Sequence, residues 1–261
     1  MNEEFEKIFR KDSGALWYGF IRTGCPGLPQ LCTTLDAPDT RLFKDREKIC
    51  AGQVGEFFVK RHNLPGFVNQ FRSYFKSPRP FKVLHGTDTV KKSGFSAPEV
   101  CAALVTLQGI SRRDYLVTRM IGKDETFLNT LMREGKYDEV RQFLLEKFVP
   151  ALRRLHDNGA MHGDLSLRNL YRDSGGNAGV IDLDGMKHFS HPLSGKLRIV
   201  EIARLISSFH MNLPRPENIR EDLVVPENSI SQILDAYAYD IAPGDVSIVV
   251  QKFIRRGRKY L

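Results

Sequence analysis

Three polar residues in the middle of the chain have the types and spacing for chemistry. Asp164 and Asn169 stand five positions apart in His162-Gly-Asp-Leu-Ser-Leu-Arg-Asn169, and Asp182 follows thirteen positions later within the apolar run Val180-Ile-Asp-Leu-Asp-Gly185. Carboxylates and an amide are hard oxygen donors of the kind Mg²⁺ takes, and a carboxylate beside a hydroxyl can accept its proton. Phosphoryl transfer asks for that combination, because the protein's part in it is positioning and charge neutralisation more than covalent work. The lead-in Leu155-His-Asp-Asn-Gly159 and the Ile181-Asp182 strand end argue against a solvated loop that carries polar residues by chance.

Such residues must be held by the elements around them. Tyr137 to Asp157 has helical periodicity, with Val140, Phe143, Leu144, Phe148, Ala151 and Leu155 on one face, and it delivers the chain to the Asp164 loop. Pro150 lies inside that helix and is expected to kink it, since an interior proline costs about 3 kcal/mol. Glu125 to Arg133, Leu193 to His210, Ser229 to Ala238 and Gly244 to Arg256 also read as helices. Upstream, Ala15 to Ile21, Lys48 to Ala51, Glu56 to Arg61, Val100 to Leu107 and Tyr115 to Met120 are short and rich in β-branched and aromatic residues, which suits a small antiparallel sheet. Ile121-Gly-Lys-Asp124 reads as a hinge between the two regions. At 261 residues, 41% hydrophobic and 27% charged, the chain can bury a core and is near the size at which it divides. The expected fold class is therefore α+β, with a strand-rich region over 1–121 and a helical region over 122–261.

The spacing His162-x-Asp164-x-x-x-x-Asn169 plus Asp182 resembles the catalytic centre of the protein-kinase-like fold. More closely, the chain is similar to the lipopolysaccharide kinases, the Kdo/heptose kinases of Gram-negative bacteria. Phe57-Phe-Val-Lys-Arg61 resembles that family's strand ending in an ATP-anchoring lysine, and Gly94-Phe-Ser-Ala-Pro98 its Gly-x-x-x-Pro link. Leu197-Arg-Ile-Val-Glu-Ile-Ala-Arg-Leu205 resembles its Arg-x-x-Asp-Leu-x-Arg-Leu helix, with Glu201 where Asp is usual. The resemblance implies a two-lobed fold with a nucleotide-binding, antiparallel-sheet N-lobe and a mainly helical C-lobe that carries the catalytic loop and metal site. It implies ATP and Mg²⁺ as cofactors, Lys60 on the nucleotide phosphates, Asn169 and Asp182 as metal ligands, and Asp164 as the catalytic carboxylate beside the acceptor hydroxyl. His162 is read as a structural histidine that ties the loop to the Asp182 strand. The implied acceptor is a sugar hydroxyl of the lipopolysaccharide inner core, on a lipid A-core molecule. The implied location is cytoplasmic, peripheral at the inner membrane.

The chain also departs from these patterns. Protein kinases offer a Glu to the anchoring lysine from the next helix, but Pro80 to Lys92 has Asp88 as its one acid; Glu56 and Glu99 lie on other elements, and the pairing acid stays open. Ala51-Gly-Gln-Val-Gly55 suits a hairpin better than a phosphate-covering loop. Gly163 stands where many protein kinases have an Arg that senses a phosphorylated activation loop, which argues against that form of control. Nineteen positions separate Asp182 from Glu201 with no Ala-Pro-Glu motif between them, so a peptide-binding segment is short of room. A RIO-like protein kinase, an aminoglycoside-type phosphotransferase and an inactive kinase-fold binding module remain alternatives.

A net charge of +8 bears on partners. Basic residues gather between Lys60 and Lys82 and in the tail Lys252 to Leu261, which includes Arg255, Arg256, Arg258 and Lys259. Phe67, Phe71, Tyr74 and Phe75 alternate with the first cluster, either as a helix face toward an anionic membrane or as a face packed on the sheet. No nucleic-acid module accompanies the charge, and nucleic acid is not an expected partner. No apolar run approaches the roughly 18 residues of a membrane span, and the start lacks the features of a secretory signal. Cys25, Cys32, Cys50 and Cys101 have no zinc-type spacing and are read as thiols of a reducing cytoplasm. Oligomeric state is not legible.

Overall fold

A computed structural model describes residues 4–25, 28–35, 40–64, 66–214 and 226–257. By internal packing the chain forms two units, 1–87 with 98–122 and 88–97 with 123–261.

The first unit is built on a seven-stranded antiparallel sheet. Its strands are β1 (Phe5–Asp12), β2 (Ala15–Arg22), β3 (Arg41–Arg46), β4 (Ile49–Val54), β5 (Phe57–Asn63), β6 (Val100–Gln108) and β7 (Ser111–Arg119). They lie in the order β1-β2-β6-β7-β5-β4-β3. The central β6 is buried along most of its length, which is why its sequence is a continuous apolar run. The sheet packs with α1 (Leu28–Thr34) over a cluster that includes Trp17, Cys32, Cys50, Val59, Cys101, Leu104 and Tyr115. These cysteines serve as small apolar side chains, and burial raises the pKa of the Cys32 and Cys101 thiols.

The strands β1 and β3 were not expected. Each is an edge, and charged residues such as Glu6, Lys7, Arg10 and Lys44 fill positions that a central strand gives to apolar side chains. The Ala51–Gly55 stretch belongs to the β4-β5 hairpin: Val54 pairs with Phe57, and Gly55, at φ +58°, sits in the two-residue turn.

After β5 come α2 (Phe67–Tyr74) and α3 (Arg79–Lys92). The division between units falls within α3, so residues 88–97, expected with the first unit, pack with the second. Backbone pairing causes this. Ser96 donates its N–H to the Ala178 carbonyl at 2.8 Å and accepts the Val180 N–H at 2.9 Å, while Phe95 packs against Phe148. The second boundary, between Gly122 and Lys123, falls inside the segment read as a hinge.

The second unit continues with β8 (Thr126–Phe127), α4 (Leu128–Arg133), α5 (Tyr137–Phe143) and α6 (Val149–Asp157). The kink expected at Pro150 takes the form of a π-helical turn over Leu144–Phe148, where the Val149 N–H reaches back five residues to the Leu144 carbonyl. The predicted apolar face from Val140 to Leu155 is buried throughout. Short strands follow: β9 (Ala160–Met161) pairs with β12 (Lys187–His188), and β10 (Leu170–Arg172) lies between β8 and β11 (Ala178–Val180). Helices α7 (Gly195–Met211), α8 (Glu227–Tyr237) and α9 (Pro243–Gly257) complete the unit, with α7 against α9. Among the described residues no helix is long and apolar enough to cross a membrane. Arg258 and Lys259 of the basic tail lie outside the described residues.

Candidate active site

The Asp164 loop is shaped first by alternating burial. Leu165 and Leu167 are sunk in the core at 1% and 0% exposure, which leaves Asp164 exposed and Asn169 half-buried. Asn169 ends a single 3₁₀ turn and donates its side-chain N–H to the Asp164 carbonyl at 2.8 Å. That bond assigns the amide, so its oxygen is the atom available to a cation.

The register of a small hairpin brings Asp182 to the same end. Leu170 pairs with Val180, and the Ile181 N–H then donates to the Asn169 carbonyl at 2.9 Å, so Asp182 comes next. Asp182 is left-handed, at φ +60°, a conformation that Asp tolerates better than most residues, and the chain turns there into Leu183–Gly185. Among the described residues no three or more His, Cys, Asp or Glu gather as a metal cage. An amide oxygen and a carboxylate fit Mg²⁺, which is held by one or two carboxylates and completes its shell with water and phosphate oxygens.

His162 is fully buried, and its Nε2 lies 2.9 Å from the Ile181 carbonyl. Its Nδ1 accepts the Asp164 N–H at 3.3 Å, so Nε2 donates to the Ile181 carbonyl and the ring bridges loop and strand. Gly163, at φ +84°, is where the loop needs a glycine, because an added Cβ would stand 2.2 Å from the Gly185 carbonyl oxygen. We expect Gly163→Ala to lose about 2 kcal/mol or more in a denaturant melt, from the left-handed backbone and the clash together. A melt like the parent's would show that the loop is not packed in this way.

Helix α7 holds the loop from beneath. Residues 201, 204 and 208 share a face at helical spacing. Glu201 accepts the backbone N–H of His162 on Oε2 at 2.8 Å and that of Gly163 on Oε1 at 2.7 Å. Ser208 Oγ accepts the Leu167 N–H at 3.0 Å. Arg204 donates to the Gly163 carbonyl and lies 3.1 Å from the Asp164 carboxylate.

Behind Glu201 runs a buried chain of polar groups. His156 Nε2 is 3.3 Å from Glu201, its Nδ1 is 2.6 Å from the Tyr237 hydroxyl, and that hydroxyl also accepts from Arg198 at 2.9 Å. Arg198 in turn pairs with Asp157 at 2.7 Å. Burial alone would raise the Glu201 pKa; the hydrogen bond and charge of His156, with His162 and the Gly163 N–H, outweigh it and hold the carboxyl below its ordinary range.

Asp164, Asn169 and Asp182 thus share one constellation in the second unit. Lys60 belongs to the first, on β5 between Ala51 of β4 and Leu116 of β7. The two acids considered for it are engaged with arginines: Arg119 pairs with Glu56 at 2.6 Å and Glu99 at 3.0 Å, and Arg22 with Glu99 at 3.1 Å. Sequence reasoning did not give Arg204, Ser208 or His156 a part in the site. The available signal was the three- and seven-residue spacing of Arg204 and Ser208 from Glu201 on an expected helix.

An antiparallel sheet followed by a helical unit, with Asp164, Asn169 and Asp182 gathered at the mouth of a small hairpin, makes an α+β protein of the kinase-like class. The sequence model of the Lipopolysaccharide kinase (Kdo/WaaP) family matches residues 44–237, most of the chain, and the chain belongs to that family. Serine/threonine-protein kinase SCH9 of Saccharomyces cerevisiae is 38% identical over 69 residues, which cover 26% of this chain and 8% of the yeast protein. The co-crystal structure of WbdD with the kinase inhibitor LY294002 aligns at a TM-score of 0.45 and 14% identity, over 81% of this chain and 44% of that one.

Proposed function

We propose that the chain is an ATP- and Mg²⁺-dependent kinase that phosphorylates a sugar hydroxyl, Kdo or heptose, of the lipopolysaccharide inner core. The observation that carries this reading is the joined geometry of Asp164 and Asn169, on a loop clamped by Glu201, with Asp182 just past the end of β11. Asp164 accepts the proton of the attacking hydroxyl as the new bond to the γ-phosphorus forms and the bond to the bridging oxygen of ADP breaks. Arg204, 3.1 Å from the Asp164 carboxylate, orients it. Asn169 and Asp182 hold Mg²⁺, which when bound neutralises charge on the phosphates. Lys60 takes the nucleotide phosphates.

Only residues 189–194 connect β12 to α7, which leaves little chain for gripping a peptide and favours a non-protein acceptor. A lipid-borne acceptor places the protein at an anionic membrane surface, peripheral and on the side where ATP is available.

The test is Mg²⁺-dependent phosphate transfer from labelled ATP to rough lipopolysaccharide, with casein and an aminoglycoside as competing acceptors. Label in lipopolysaccharide supports the reading; label in casein alone overturns it. Asp182→Ala is expected to remove the Mg²⁺-dependent part of nucleotide affinity as well as transfer, measured by calorimetric titration with and without the metal.

A further inference from the structure

Helix α2 of the first unit is inside out. Its inward side is polar. Gln70 accepts the Arg112 N–H at 2.8 Å and donates to the Leu64 carbonyl at 2.6 Å, and the Ser73 carbonyl accepts the Arg112 guanidinium, itself buried against Asp114. Its outward side is apolar: Phe67, Val68, Phe71 and Phe75 are 70%, 60%, 58% and 78% exposed. Phe71 and Phe75 pack edge to face at 5.3 Å, and Tyr74 reaches the carbonyl of Ile110, a further exposed apolar residue. A helix normally turns such a face to the core, and an exposed contiguous apolar patch of this kind marks an interaction site.

Charge selects the occupant. From Phe57 to Thr87 the sequence contains no Asp or Glu, and Arg72, Lys76, Arg79 and Lys82 are exposed on α2, the link that follows it and the start of α3. A second copy of this surface would bring like charges together. A bilayer with anionic headgroups meets both halves of the pattern, with phosphates beside the basic residues and aromatic rings at the acyl boundary. We propose that α2 is an interfacial anchor that inserts Phe67, Val68, Phe71 and Phe75 into an anionic membrane, with Arg72 and Lys76 on the headgroups. The proposal rests on the membrane-surface part of the reading above and not on the phosphoryl transfer.

The experiment uses the full chain with vesicles of phosphatidylcholine alone or mixed equally with phosphatidylglycerol, at low and high salt. The parent is expected to sediment with the mixed vesicles. Phe67→Ser/Phe71→Ser/Phe75→Ser should weaken partitioning by about a hundredfold at either salt. Arg72→Gln/Lys76→Gln should weaken it mainly at low salt, where headgroup attraction is unscreened. Phe71→Trp reads insertion directly, since the native Trp17 is buried in the sheet core: its emission should shift to the blue with mixed vesicles, and that of Phe9→Trp, on the edge strand β1, should not. This single substitution decides the matter if the triple variant does not fold.

Parental partitioning by a folded triple variant, or no emission shift for Phe71→Trp, overturns the proposal. So does self-association of the parent without vesicles that the triple variant abolishes, which would assign the patch to a second copy. Phosphate transfer to a soluble core-sugar fragment is assayed in parallel: vesicle binding without transfer sinks only the kinase reading, and transfer without vesicle binding sinks only this one.

Discussion

Asp164→Ala is expected to lower phosphoryl transfer by about 10²- to 10⁴-fold, the usual worth of a positioned general base, while nucleotide binding is largely kept. In the proposed mechanism the two effects separate because Asp164 would face the acceptor, whereas Asn169 and Asp182 would supply the oxygen atoms for the metal. Asn169 is bonded to the backbone carbonyl of residue 164, not to its side chain, so the substitution leaves that link intact. Asp164→Asn is the matching control: it keeps the shape and the Arg204 neighbour but cannot take up a proton. Single-turnover transfer with a soluble acceptor fragment, beside direct nucleotide titration, checks the split. Near-normal turnover in both variants would show that another group accepts the proton.

The second large effect is on stability. Glu201→Ala strips one buried carboxylate from two backbone N–H groups and from His156, leaving buried polar groups without their partner. Breaking such a group from one side costs about 3–5 kcal/mol, which in a chain of this size lowers the melting temperature by about 10 °C. The loss should also depend on pH. Glu201 has a folded pKa below its ordinary value; so does Asp157, where burial raises the pKa but hydrogen bonds from Arg198 and Arg153 outweigh it. A depressed pKa gives stability that is complete above the ordinary carboxylate range and is lost as pH falls through the folded value, here below about pH 4.5. Glu201→Gln should therefore flatten the acid limb of the stability curve and lie closest to the parent at its acid end. Parallel curves for the two proteins between pH 7 and pH 3 would mean that folding does not depress the Glu201 pKa.

Much of this could be read before any coordinates. Helix periodicity from Val140 to Leu155, the apolar strands β6 and β7 and the hairpin nature of Ala51–Gly55 follow from local patterns that the tertiary structure keeps. The edge strands escaped because Phe5–Asp12 and Arg41–Arg46 have little burial to impose an apolar pattern, and their pairing is decided by partners elsewhere. The segment 88–97 escaped for a related reason, since one backbone bridge at Ser96 outweighs its place in the chain. Aromatic spacing in α2 allowed a packed or an exposed face; Arg112, over thirty residues downstream, draws Gln70 and Ser73 inward and turns the rings out.

Residue types and spacing alone thus determined the chemistry on offer: a carboxylate, an amide and a second carboxylate for phosphoryl transfer, with a lysine on an upstream strand. Sequence spacing records which groups are present and roughly how far apart they lie along the chain, but not which backbone atoms will hold them. Only the tertiary structure decided that Asn169 bonds the Asp164 carbonyl, that the Leu170–Val180 register carries Asp182 beside it, and that Glu201, Arg204 and Ser208 grip the loop from a helix some forty residues away. The α7 contacts join segments distant in sequence, and they form because buried N–H groups must find acceptors once the two leucines of the loop are drawn into the core.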